Sequence, residues 1–139
     1  ASVATDAAHK LIRIGFDAVA ISDNHMQAIA AAHLGKNDAV IGISHSGSSK
    51  DVVEAMKTAR DKGAFTIAVT NYGKSPIDKY SDVKLFTSAD ETNYSILALN
   101  SRIAQLAIID TLYFYIIYRM PEAKTAIEET ERALLNKKY

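Results

Sequence analysis

The chain has 139 residues, and its 16 basic and 16 acidic side chains cancel. That length points to one domain, residues 1–139, able to bury about two-thirds of its unfolded surface. With no cysteine the chain holds neither disulfides nor thiolate metal sites. The balanced charge argues against a broad nucleic-acid footprint on this segment. The opening residues lack the basic start and apolar run of a signal peptide. The most apolar stretch, residues 96–118, contains Asn100, Arg102, Gln105 and Asp110, so it reads as a buried helix rather than a membrane span. The composition therefore predicts a cytoplasmic domain with no membrane contact.

Helical and strand patterns alternate, which argues for a parallel α/β sheet. Val3, Ala4, Ala7, Ala8, Leu11 and Ile12 recur at helical spacing, and Gly15 ends that helix. Ala18, Val19, Ala20 and Ile21 form a short apolar run that predicts a buried strand. Asp23 is placed to cap a helix carrying Met26, Ile29 and Ala30, which stops at Gly35. Residues 39–43 predict the next strand, residues 50–62 a helix closed by Gly63, and residues 65–70 a third strand. Ser75 and Pro76 fit a cap followed by a proline in the first turn of a short helix. Residues 83–86 predict the fourth strand. The long helix follows, Pro121 breaks it, and a last amphipathic helix carries Ala126, Ile127, Ala133 and Leu134. A doubly wound domain normally opens on a central strand, whereas this chain opens on a helix. The expected fold is thus a three-layer α/β sandwich with a parallel sheet, its first strand missing from this chain. That absence would leave residues 18–21 and 39–43 without a bridge between them.

The Ser/Gly loop Ser44, His45, Ser46, Gly47, Ser48, Ser49 carries the chemistry. It lies at the carboxyl end of a predicted strand, where open parallel sheets bind ligands, and at the start of a helix. Helix-start amides and the dipole favour an anion, Gly47 permits close approach, and four hydroxyls can donate to its oxygens. The loop offers no strong base or metal ligand, so phosphate is the natural guest. A serine-rich turn with a simple helix cap would need only one of those serines. The loop matches neither the Walker pattern nor the dinucleotide fingerprint.

Residues 40–51, with the sequence Val-Ile-Gly-Ile-Ser-His-Ser-Gly-Ser-Ser-Lys-Asp, resemble the signature of the sugar isomerase (SIS) domain. Glu91 followed by residues 101–110, and residues 6–15 of the first helix, resemble the RpiR-type branch of transcriptional regulators. The resemblance covers essentially the whole chain. It implies a five-stranded parallel sheet and phosphosugar binding. Ser44, His45 (through its backbone), Ser46 and Ser49 would hold the phosphate, and Glu91 would face the sugar. In that branch a helix-turn-helix domain, not contained in these residues, precedes the SIS domain and contacts DNA. The family's first Gly/Ser loop falls just before the first helix. Ser2 lies at its edge, and an ungapped alignment puts the family's loop serine slightly upstream of Ala1.

Taken alone, Glu91 reads as a solvated loop residue. His9, His25, His33 and His45 lack metal spacing, so no metal or cofactor is expected. Residues 70–73 read as a plain turn that could floor a pocket. Tyr113, Phe114, Tyr115 and Tyr118 form an aromatic cluster of the kind more often found in a core. The long helix is nevertheless apolar around much of its girth, which one sheet face cannot cover, so a homodimer or tetramer is expected. Two functions compete: a regulatory phosphosugar-binding module with no catalytic residue, and a sugar-phosphate isomerase. The enzyme needs an acid–base pair, for which Glu91 has only His25 or His33 as prospective partners. A dimerisation module with a vestigial pocket is a third reading.

Overall fold

The computed structural model describes residues 2–89 and 99–137. The chain divides into two compact units, a sheet unit of residues 21–108 and a helical unit of residues 1–20 and 109–139. The elements in chain order are α1 (Ser2–Arg13), α2 (Asn24–Ala32), β1 (Ala39–Ile43), α3 (Lys50–Asp61), β2 (Phe65–Asn71), a 3-10 helix (Pro76–Tyr80), β3 (Val83–Thr87), α4 (Leu99–Arg119) and α5 (Pro121–Leu134), followed by a further 3-10 turn (Leu135–Lys137). Among the described residues no single helix is long and apolar enough to cross a membrane.

The sheet is parallel, in the order β1-β2-β3. Ile41 pairs with Ile67 and Gly42 with Ala68, and on the other side Val69 pairs with Leu85. One face of the sheet is built for close approach. A Cβ on Gly42 would lie 2.7 Å from Met56 Sδ and 3.2 Å from Ile77 Cδ1, so glycine lets α3 and the 3-10 helix reach the backbone. Met56, Ala68 and Ile77 make the resulting core, and Ala31, Ala59 and Ala64 a second one. The start of β3 is pinned to β2 by Asp82. Its carboxylate accepts from the Thr66 amide and hydroxyl, both at 2.9 Å, and its own amide donates to the Thr66 carbonyl. Those two Thr66 donors, with the Arg60 guanidinium nearby, hold the Asp82 carboxyl below its ordinary value.

Residues 18–21 correct the sequence reading: they are not a strand. An apolar run becomes a strand only when a neighbour satisfies its backbone, and among the described residues these four have no ladder partner. Val19 is 78% exposed. Among the described residues β1 carries a ladder on one side only, to β2. The remaining boundaries follow their local signals. Asp23 Oδ1 caps α2 by accepting from the Met26 amide at 2.8 Å. Met120 leaves helical geometry (φ −119°, ψ 101°), and Pro121 opens α5 at a position where its missing N–H is harmless.

In the helical unit the α1 helix packs against α5, and Gly15 (φ +94°) closes the turn after α1 with its Cα beside Ala126. Lys10 bridges Asp6 and Asp110, and Arg13 pairs with Glu131. Phe114, Tyr115 and Tyr118 are exposed, the last at 84%, so the core expected of that cluster is not formed by them.

Candidate phosphate-binding loop

The loop begins where β1 runs out of ladder. The Ser44 amide donates to the Val69 carbonyl at 3.0 Å, one residue beyond the strand. The His45 carbonyl accepts from the Asn71 amide (2.9 Å) and the Thr70 hydroxyl (3.2 Å), and the Gly47 amide donates back to the Ser44 carbonyl. Gly47 sits at φ +62°, the left-handed region that only glycine adopts freely. An L side chain there would meet Ser75 Oγ at 2.3 Å and Thr70 Oγ1 at 2.8 Å. The Gly47 carbonyl accepts from the Ile77 amide at 3.0 Å. The loop is therefore held by backbone bonds to β2 and to the 3-10 helix that follows it.

Its hydroxyls are disposed differently. Ser44 is buried, while Ser46, Ser48 and Ser49 are exposed and His45 is half-buried. Ser46 Oγ accepts from the Ser48 amide (3.3 Å) and hydroxyl (2.9 Å), which leaves its own proton to donate elsewhere. Ser49 is the N-cap of α3, yet its side chain makes no cap bond. The first internal bond of α3 runs from the Val53 amide to the Ser49 carbonyl, so the amides of residues 50–52 precede it. A simple capping serine would have spent its hydroxyl on those amides. This arrangement instead presents hydroxyls and helix-start amides together, a donor set suited to a tetrahedral oxyanion.

Of the other predicted site residues, Ser2 opens α1 in the helical unit and is exposed. Glu91 lies outside the described residues. A groove of about 270 Å³ between α2 and α3 is lined by Asn24, His25, Asp51, Glu54 and Thr58. It contains no loop serine, and its two carboxylates would repel a phosphate, so the serine loop remains the candidate. Among the described residues no group of three His, Asp or Glu could hold a metal ion. Of the supports, Thr70 lies in the stretch read as a possible pocket floor and Ser75 is the predicted cap, while Asp78 is the one that sequence reasoning missed. The Ser75-Pro76-Ile77-Asp78 spacing is a capping-box pattern, and that signal was available.

A parallel sheet flanked by helices, with a Ser/Gly loop between the carboxyl end of β1 and the start of α3, defines an open α/β class of domain. Residues 1–115 match the SIS domain family, and the chain belongs to it. It is 45% identical over 114 residues to an HTH-type transcriptional regulator of Caldanaerobacter subterraneus, covering 82% of this chain and 40% of that protein. Among solved structures it resembles the Vibrio vulnificus NanR protein complexed with ManNAc-6P. The TM-score is 0.91 and the identity 28%, over 99% of this chain and 52% of that one. It also resembles the sugar isomerase domain of an RpiR transcription factor from Sphaerobacter thermophilus, at TM-score 0.81 and 25% identity, over 94% of this chain and 72% of that one. The chain spans about half the length of the regulators it matches.

Proposed function

We propose that residues 1–139 act as the phosphosugar-binding effector domain of a bacterial transcriptional regulator of carbohydrate metabolism. DNA contact would be made by a separate helix-turn-helix domain. The observation that carries this reading is the Ser49 hydroxyl left out of the helix cap, together with a Ser46 oxygen that accepts from Ser48 and so keeps its own proton to donate. Those hydroxyls and the amides opening α3 offer donors to a dianion without supplying a base. Ser44, His45 through its backbone, Ser46, Gly47, Ser48 and Ser49 hold the phosphate. Glu91 faces the sugar and Ser2 borders the first ligand loop, both by likeness to the family. The similarity to NanR and to HTH-type regulators supports a sensing role over turnover. The domain works as a homodimer or tetramer in the cytoplasm, with Phe114, Tyr115 and Tyr118 of α4 at a subunit contact, as their exposure suggests.

A thermal-shift screen of phosphosugars tests the reading. A ligand at a hundred times its Kd adds about 2.7 kcal/mol of stability, and the unphosphorylated sugar adds little. Ser46→Ala weakens binding by about 1.5–3 kcal/mol, the range for hydrogen bonds to charged groups. Unchanged calorimetric affinity in that variant would refute the loop assignment. No isomerisation of ketose or aldose phosphates above background is expected, and turnover abolished by Glu91→Gln would establish the enzyme instead.

A further inference from the structure

The loop's shape is set from outside it, and Ser75 occupies the deciding position. The Gly47 turn has no room beneath it. An added Cβ would lie 2.3 Å from Ser75 Oγ and 2.6 Å from Ser75 Cβ, so the Ser75 side chain is the floor on which the turn rests. Two local features fix that floor. Pro76 confines the residue before it to extended backbone, and Ser75 has φ −143° and ψ 156°. The Asp78 carboxylate then accepts from both the Ser75 amide (3.0 Å) and the Ser75 hydroxyl (3.3 Å). Ile77, wholly buried against Met56 and Ala68, ties the same segment to the core, while its amide holds the Gly47 carbonyl. Core, capping carboxylate and serine floor thus form one support under residue 47. The turn at residue 47 sets how Ser46 is placed relative to Ser48, Ser49 and the first amides of α3.

We infer that Ser75, held by Asp78, is a positioning residue for the phosphate loop, acting through Gly47 without touching the ligand. This rests on the phosphate-binding reading of residues 44–49. A site of convergent donors loses affinity steeply when its supporting groups shift by about 1 Å. The effect falls on recognition of the phosphate group and is the same for every ligand that carries one.

The test measures affinity for inorganic phosphate and for ManNAc-6P at a temperature well below every variant's Tm. Asp78→Ala and Ser75→Val are each expected to weaken both ligands by about tenfold or more, by the same factor. Asp78→Asn, which keeps one acceptor oxygen, restores part of the loss. Leu34→Ala, which loosens the separate core of Ala31, Ala59 and Ala64, lowers Tm and leaves both affinities within about twofold, which separates positioning from general destabilisation. Wild-type affinity in Asp78→Ala and Ser75→Val, or an equal loss in Leu34→Ala, would overturn the inference. If the wild type binds neither ligand, the phosphate reading itself fails. The positioning role is then read from the Gly47, Ser48 and Ser49 amide chemical shifts, which move in Asp78→Ala if it holds and stay fixed if it does not.

Discussion

The sheet unit and the helical unit hold themselves together by different means. In the sheet unit the decisive residues are small. Gly42, Ala59 and Ala68 let elements approach to backbone distance, and the polar links are short bonds such as those of Thr66 with Asp82 and Asn71 with Ala89. In the helical unit the links are long charged side chains, Lys10 with Asp6 and Asp110, and Arg13 with Glu131. Its large apolar side chains include several left exposed, Phe114, Tyr115 and Tyr118 among them. Close-packed short contacts tolerate no added atom, whereas flexible ion pairs adapt. The loop sits on the unit that cannot adapt, as the proposed phosphate site would require.

The comparison is sharpest at Gly47. Gly47→Ala forces an L residue into the left-handed region, at roughly 1–2 kcal/mol. It also drives a methyl into Ser75 and Thr70, an overpacking term of roughly 1–3 kcal/mol. Urea denaturation should register the sum, and phosphosugar binding should vanish with it. Gly42→Ala follows. Its methyl meets the buried Met56 side chain, so a loss of about 1–3 kcal/mol is expected with the loop chemistry untouched. A neutral Gly42→Ala would mean that the core is looser than its distances indicate.

Much of this was legible in the sequence because parallel strands announce themselves as continuous apolar runs. Residues 39–43, 65–71 and 83–87 form strands close to where those runs lie. The same signal misled at residues 18–21, since an apolar run does not say whether a neighbouring strand satisfies its backbone. The Ser/Gly loop was readable because its position between strand and helix is local. Its dependence on Ser75 was not, since the two meet only through the tertiary fold. For the aromatic residues of α4, an all-round apolar helix leaves open which faces are covered, and the structure shows that Phe114, Tyr115 and Tyr118 are not.

The exposed aromatics give the helical unit its own test. Phe114→Glu or Tyr118→Glu places a charge on a surface that is already in water, so the monomer's stability should change by no more than about 0.5 kcal/mol. If these residues make a subunit contact, sedimentation should show the assembly falling to monomers. An unchanged mass would move the contact elsewhere, and a wild type that is already monomeric would remove it.

A modest effect is expected at Lys10. Its ammonium bonds first to Asp110 and then to Asp6, and both raise its pKa above the ordinary lysine value. A group whose folded pKa is raised contributes its stability in full below the unfolded value, and that contribution disappears as the pH climbs through the folded one. Asp110→Asn should therefore be less stable than the wild type at neutral pH, by about 0.2–1 kcal/mol, because the pair is only partly shielded from solvent. The gap should narrow as the solution is made strongly alkaline, and it should shrink with added salt at neutral pH. Urea titrations of both proteins across that range decide the matter. A gap that persists after Lys10 has lost its proton would mean that Asp110 stabilises the helical unit through packing or other hydrogen bonds rather than through charge. The contrast between an ion-paired helical unit and a close-packed sheet unit would then fail at its clearest pair.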